Sequence, residues 1–288
     1  MKIRAPAKIN LSLRVIGRRA DGYHLVDTIM VPISLYDEIE IRKTGIASKK
    51  QSTRDLIEIS CDHPLVPLGK ENIVYRAAEL IMNKSHIAVP ISIRITKRIP
   101  VGAGLGGGSS DAAATLVGLN RLLKLRLSPS RLEKMALSLG ADVPFFIRGR
   151  PARARGIGER LRPLPRLPHF WSVIIYPGFS VSTAWVYRNL RQKLTKPIVN
   201  TSIANSPKSF ADLATLLEND LEAVTLKRYP KIALLKEKLL REGALRVLMS
   251  GSGSSVFGIF ASKRTVFAAF QRLRKQEGAQ AFLVHALT

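Results

Sequence analysis

Acidic residues are scarce in this 288-residue chain: 21 Asp and Glu stand against 46 Lys and Arg, a formal charge of +25. The field of such a surface favours anions. Nucleic acid, an acidic membrane and phosphorylated metabolites all stay open on charge alone. Cysteine is almost absent, and with Cys61 as the single example no intrachain disulfide or thiolate cluster for zinc or iron and sulfur can form. No run of about 18 apolar residues exists for a membrane-spanning helix. Met1 to Leu13 lacks the apolar stretch of a secretory leader. These absences predict an intracellular, cytoplasmic protein. Aromatic residues make up only 6%, and none falls among the arginines between Arg148 and Arg166. Arg153, Arg155, Arg160 and Arg162 therefore read as a solvated face, because grooves for single-stranded nucleic acid interleave rings with cations. The five histidines (His24, His63, His86, His169, His285) are scattered, and Cys61-Asp62-His63 is too common a spacing to mark a metal site, so no metal centre is expected.

What is present is ordinary globular material. A 46% hydrophobic content over this length supports one large or two modest domains. Ile9, Leu11, Leu13 and Val15 alternate, then Ala20-Asp21-Gly22 turns the chain towards Ile29 to Ile41, which reads as antiparallel β. Helical spacing covers Asn72 to Met82, and period two returns over Val89 to Ile95. A helix follows the glycine-rich stretch after Pro100, and another runs from Ser128 to a stop at Gly140. Composition shifts to Arg, Gly and Pro between Arg148 and Arg166, which places a boundary there and predicts domains at 1–155 and 156–288. Beyond it, strands are expected at Trp171 to Tyr176, Leu245 to Met249, Val256 to Phe260 and Ala281 to Val284. Helices are expected at Ala211 to Lys227, Lys231 to Arg241 and Lys263 to Gln276. No internal repeat is evident, and helices segregate from hairpin-like strands, so both halves are predicted to be α+β.

The segment Pro100-Val101-Gly102-Ala103-Gly104-Leu105-Gly106-Gly107-Gly108-Ser109-Ser110-Asp111 has the chemistry of a phosphate cradle. Without side chains the backbone wraps oxygens closely, and free amides at a helix start supply positive potential. Ser109 and Ser110 are placed to cap that helix and to donate to phosphate. Gly102-x-Gly104-x-x-Gly107 also spells the dinucleotide fingerprint, but a second helix follows where a parallel strand belongs, and Leu125 and Leu127 stand where an acidic ribose ligand belongs. No Gly-Lys-Ser or Gly-Lys-Thr ends the cluster, so it is not the P-loop of ATPases. Ser250-Gly251-Ser252-Gly253-Ser254-Ser255 reads either as a tight turn or as a second backbone wall for the same phosphates. Asp142 amid apolar residues and Lys8 at the start of an apolar strand are costly placements unless paired or catalytic. Composition does not say that they meet.

Together these stretches resemble the GHMP kinase superfamily. The resemblance rests on APAKINLSLRVIGRRADGYH from Ala5, PVGAGLGGGSSDAA from Pro100, GADVPFF from Gly140 and MSGSGSSVFG from Met249. Weaker likeness at GIGERLRPLP from Gly156 and PGFSVSTAWVY from Pro177 extends it over almost the whole chain. It implies a ribosomal-S5-like N-terminal domain, a ferredoxin-like C-terminal domain and an active site in the cleft between them. The implied reaction is transfer of phosphate from ATP to the 2-hydroxyl of a cytidine diphosphate-linked methylerythritol. Asp142 is then the general base and Lys8 its charge partner. ATP is held by residues 100–110 together with Gly251 and Gly253. Asn10 bonds near the acceptor, Tyr23 and Tyr187 sandwich the cytosine, and His24 reads its edge. Magnesium is expected with ATP, because the phosphate charge must be neutralised. Leu25 follows His24 where an acidic residue is common, and Tyr187 stands where Phe is frequent. Two other readings remain: a kinase for another small alcohol such as mevalonate or homoserine, and a basic nucleic-acid-binding protein, since ribosomal-S5-like folds occur there too. On the leading reading the partners are ATP and one small molecule, without nucleic acid or membrane.

Overall fold

The computed structural model describes residues 1–45, 56–165, 167–190, 209–275 and 277–287. The chain gathers into two compact units, neither continuous in sequence. The first comprises Met1–Ala7, Leu35–Val101 and Gly106–Gly149; the second comprises Lys8–Ser34, Gly102–Leu105 and Arg150–Thr288. Two long strands, β1 (Lys2–Arg18) and β2 (His24–Lys43), contribute residues to both. The expected division at 155/156 falls inside a strand, β5 (Ala152–Gly156).

In the first unit β4 (Ile91–Thr96) lies between β2, antiparallel, and β3 (Ile57–Cys61), parallel. Alternation decides which side is buried: Ile39, Ile41, Ile57, Ile59, Ile91, Ile93 and Ile95 form the apolar face, while Glu40, Glu58, Ser92 and Arg94 occupy the other positions of the pleat. The apolar sides of α1 (Ile73–Lys84) and α2 (Gly107–Leu122) are buried, with Ala77, Ala78 and Ile81 on one and Ala112, Leu116 and Leu119 on the other. Asn72 caps α1 by accepting from the Val74 amide. Gly118 is a close approach, since a methyl there would lie 2.5 Å from Ile3 Cδ1 and 2.6 Å from Ile41 Cδ1. The helices α3 (Pro129–Leu139), capped by Ser128 and closed at Gly140, and α4 (Val143–Arg148) complete the unit.

The second unit holds β5 against β2 and the hairpin strand β6 (Arg160–Pro163). Its other sheet has the order β11 (Gln280–His285), β7 (Trp171–Tyr176), β10 (Val256–Phe260), β9 (Arg246–Met249), antiparallel throughout. With α8 (Pro230–Arg241) and α9 (Lys263–Leu273) the chain runs β-α-β-β-α-β, the ferredoxin-like arrangement. Ile232, Leu235 and Leu239 of α8 and Val266, Ala269 and Leu273 of α9 share one core with Val173, Ile175, Val256 and Phe260.

Two local expectations are corrected. The run Ala211 to Lys227 is not one helix but α6 (Phe210–Thr215), a two-residue strand β8 (Glu218–Asn219) and α7 (Glu222–Arg228). Pairing of β8 with Ser12 and Leu13 of β1 outweighs helix propensity there. The arginine-rich stretch is not wholly solvated either, because Arg153 is buried in a bidentate pair with Asp27, to which Arg155 adds a contact at 3.2 Å. Gln276, the expected end of the last helix, and Arg166 lie outside the described residues.

A buried charge cluster braces the first unit. Lys97 Nζ donates to Asp37 Oδ2 at 2.5 Å and to Asp111 Oδ2 at 2.7 Å, while Asp37 Oδ1 accepts the amides of Arg98 and Ile99. Two carboxyl groups share one ammonium. Burial pushes the Asp111 carboxyl up to about 8 against the pull of Lys97, and neighbouring Asp37 adds to the rise. For Lys97, burial acts downward, yet Asp111 and Asp37 outweigh it and hold the ammonium above its ordinary value. Because Asp111 binds its proton more tightly when folded than its ordinary 3.8, the native state holds the extra proton between that value and about 8, and stability falls as pH rises through this window. The contribution of Lys97 is lost only above its ordinary 10.5, outside that range. Urea unfolding of wild type and Asp111→Asn at about pH 5 and about pH 8.5 checks this. The variant is expected to gain on the wild type towards the higher pH; parallel pH dependences would contradict it.

Candidate functional site

In the second unit β1 buries two polar residues, Lys8 and Asn10. Lys8, 5% exposed, donates from Nζ to Asn10 Oδ1 at 2.6 Å. Asn10 Nδ2 donates to Thr28 Oγ1 at 2.8 Å, and Thr28 Oγ1 donates to the Ser12 carbonyl at 2.6 Å. Strand geometry explains the chain, since residues two apart project from the same face. The ammonium is thereby aimed by a buried relay rather than left to solvent.

The segment Gly102–Leu105 lies along the same strand, with the Lys8 amide bonded to the Leu105 carbonyl at 2.9 Å. Ser250–Ser255 closes against this segment. Ser250 Oγ donates to the Gly104 carbonyl at 2.9 Å, and the Ser255 amide donates to the Ala103 carbonyl at 3.1 Å. Gly104 has φ +78°, and a Cβ there would land on the Ser250 carbonyl oxygen and within 2.9 Å of the Gly253 oxygen. Only glycine meets both conditions. Gly251 completes the convergence: a Cβ on it would lie 3.3 Å from the Gly104 oxygen, 3.4 Å from Lys8 Nζ and 3.5 Å from Asn10 Oδ1. Of the expected site residues, Lys8, Asn10, Gly104 and Gly251 are thus brought together. Gly253 sits in the same loop, its amide bonded to the Ser250 carbonyl.

Gly106, Gly107 and Gly108 belong to the first unit, where α2 begins. Gly106, with φ +73°, is the N-cap and offers no side chain to the first amides of the helix. This corrects the expected capping by Ser109 and Ser110, which lie inside the first turn and a half. A methyl on Gly107 would meet Ile99 Cγ2 at 3.0 Å and Lys97 Nζ at 3.2 Å, so the helix start packs tightly over the buried charge cluster. Pro100 and Val101 lead into the loop directly after the Arg98 and Ile99 amides that Asp37 holds. Leu105 and Ala103 are buried, and Gly108 has ordinary space around it. Asp142 stands at the N-terminal end of α4 in the helical region, φ −82°, and makes no capping bond to that helix.

Of the expected base-binding residues, His24 and Tyr187 stack, with ring centroids 5.1 Å apart and planes 28° apart. Tyr23 is 62% exposed, its amide bonded to Asp21 Oδ1. Burial, with a smaller contribution from the Arg18 cation, holds His24 below its ordinary value, so the ring is neutral at physiological pH. Among the described residues no cluster of three or more His, Cys, Asp or Glu is arranged for a metal ion, and no helix is long and apolar enough to cross a membrane.

Sequence reasoning missed several residues of this frame. Thr28 ends the relay, Lys97 with its two carboxylates braces the helix start, and Asn219 and Asp220 tie β8 to its neighbours. A Lys-Arg pair between Ile95 and Ile99, and an Asn-Asp pair interrupting a helical pattern, are the signals that point to the last two groups.

Comparison with known proteins decides the family. Residues 72–150 match the GHMP kinases N terminal domain and residues 198–279 the GHMP kinases C terminal domain. A 4-diphosphocytidyl-2-C-methyl-D-erythritol kinase from Citrifermentans bemidjiense is 48% identical over 278 residues, 96% of each chain. The chain belongs to the GHMP kinase family. A protein of the same description from Acetivibrio thermocellus is 43% identical over 280 residues, again 96% of each chain. The crystal structure of a 4-(cytidine 5'-diphospho)-2C-methyl-D-erythritol kinase superposes on this GHMP kinase with a TM-score of 0.78 at 36% identity, covering both chains fully. A homoserine kinase from Cytophaga hutchinsonii gives 0.73 at 20% identity over 100% of this chain and 94% of its own, a likeness of fold alone.

The packing around Gly104 yields a test on this GHMP kinase. Gly104→Ala must shift the backbone of one loop or the other, and is expected to destabilise by about 2 kcal/mol or more and to cut turnover at least about 100-fold. Unfolding curves and steady-state kinetics read the two effects. Wild-type turnover in the variant would show that the two loops need not touch.

Proposed function

We propose that this GHMP kinase transfers the γ-phosphoryl group of ATP to the 2-hydroxyl of 4-diphosphocytidyl-2-C-methyl-D-erythritol, in the methylerythritol phosphate route to isoprenoid precursors. The observation that carries the acceptor is the near-half identity, over 96% of both chains, to relatives of that description. The stacked His24 and Tyr187 support it, since a neutral imidazole beside an aromatic ring suits a cytosine base. The domains are proposed at 1–155 and 156–288, and the protein as cytoplasmic.

In the proposed mechanism Asp142 takes the proton from the acceptor hydroxyl. The freed oxygen then attacks the γ-phosphorus, and the bond from that phosphorus to the β,γ-bridging oxygen breaks as ADP leaves. Lys8 is the charge partner of the base, and Asn10 holds its ammonium in place. Residues 100–110, with Gly251 and Gly253, form the proposed binding surface for ATP, where backbone amides meet phosphate oxygens. Among the described residues Ser110 Oγ is buried without a hydrogen-bond partner, as are Asp111 Oδ1 and Ser255 Oγ, and a hydroxyl at the start of α2 would suit the magnesium ion expected with ATP. Held there, the ion would neutralise phosphate charge. Tyr23 is proposed to close on the base from the side opposite Tyr187. Its exposure leaves the ring free to do so.

The test is ATP-dependent turnover of the cytidine-linked alcohol against mevalonate and homoserine. Turnover of the cytidine substrate alone is expected; turnover of another alcohol in its place would overturn the acceptor. Asp142→Asn is expected to lower kcat by about 10²- to 10⁴-fold with KM for ATP within about threefold. A near-wild-type kcat would remove Asp142 as the base.

A further inference from the structure

The loop that carries Gly251 hangs from β9, the edge strand of its sheet. Met249, the last residue of that strand, pairs inward with Val256 and turns its other backbone groups towards the open edge. Side chains from a preceding segment satisfy them. Glu222 Oε1 accepts the Met249 amide at 2.7 Å, and Asn219 Nδ2 donates to the Met249 carbonyl at 2.8 Å. The same Asn219 nitrogen donates to the Gly251 carbonyl at 2.8 Å, while its Oδ1 accepts the Leu221 amide at 2.9 Å. Asn219 is buried, and both ends of its amide are in use.

The backbone on which Asn219 sits is fixed to the strand of Lys8 and Asn10. Asn219 is paired with Leu13 of β1, the Asp220 amide donates to the Leu13 carbonyl at 2.9 Å, and Asp220 Oδ2 accepts the Val15 amide at 2.9 Å. One side chain therefore spans from β1 to the two carbonyls that define where Gly251 lies. A carboxylate in its place would face both carbonyls with oxygen, and a methyl would leave both without a donor.

We infer that Asn219 is a positioning residue for phosphoryl transfer, setting the Gly251 loop in register with Lys8 and Asn10. It touches neither ligand. The inference rests on the proposed reading of Gly251 and Gly104 as part of the ATP surface. Its consequence is selective: losing the amide disturbs the triphosphate side of the site and leaves His24 and Tyr187 as they were.

Asn219→Ala and Asn219→Asp are measured for kcat, for affinity towards a non-hydrolysable ATP analogue, and for affinity towards CDP as a probe of the base site. At least about a tenfold loss in kcat and in analogue affinity is expected, with CDP affinity within about twofold of wild type. Analogue affinity and kcat both within about twofold of wild type in a folded variant would overturn the inference. So would equal losses for analogue and CDP, the mark of general loosening. Should neither variant fold, Asn219→Ser, which keeps one donor, is held to the same criteria. Analogue binding reads Asn219 without any acceptor, so failure of the wild type to phosphorylate the cytidine-linked alcohol would overturn the acceptor alone.

Discussion

The structure turns on the contact between two stretches of bare backbone. Gly102–Leu105 and Ser250–Ser255 approach so closely that Gly104 has no room for a Cβ, and they are sewn together by Ser250 Oγ and the Ser255 amide. Everything near them serves that contact. Lys8 fastens the first stretch to β1 through its own amide, Val181 donates to the Gly102 carbonyl, and Thr225 and Thr183 hold Ser252 in the second. Backbone held this way presents amides without conformational freedom, which suits the binding of phosphate oxygens because little ordering remains to be done when the ligand arrives.

That frame also changes what the composition means. A charge of +25 suggested work for the basic residues, yet the cations held by buried partners near the proposed phosphate surface are few, Lys8 bonded to Asn10 and Lys97 bonded to Asp37 and Asp111 beneath Gly107. The scarce acids are the ones with structural duties. Asp37 and Asp111 flank Lys97, Asp27 holds Arg153, Asp220 takes the Val15 amide and Glu222 takes the Met249 amide. A buried carboxylate bonded to amides or cations is costly to remove, because its partners are then left without it. Surface charge of the majority sign carries no such penalty, so the excess accumulates outside the frame.

Local patterns carried most of the fold. Alternation over Ile9 to Val15 and Val89 to Ile95, helical spacing over Asn72 to Met82, and the start at Ser128 and stop at Gly140 each correspond to an element of the structure. Two of the failures share one cause, long-range pairing. Glu218–Asn219 looks helical in isolation and becomes a strand because β1 supplies a ladder some 200 residues earlier. Arg153 looks exposed in an arginine-rich stretch and is buried because Asp27 lies across β2 and β5. At the site, glycines and Lys8 were legible because their chemistry conflicts with their neighbours in sequence. Thr28 was not, and Lys97 and Asn219 gave only a local signal whose meaning their distant partners explain. The helix start differed for a subtler reason: Gly106 takes the left-handed capping position that serine was expected to hold.

The central claim is that the Gly104 and Gly251 segments form one surface for the triphosphate. Amide chemical shifts read this residue by residue while a non-hydrolysable ATP analogue is titrated into the labelled protein. The amides of Ala103, Gly104, Gly251 and Ser252 are predicted to shift together, with a single dissociation constant equal to that from direct binding. Shifts in one segment that leave the other unmoved at saturation would contradict it.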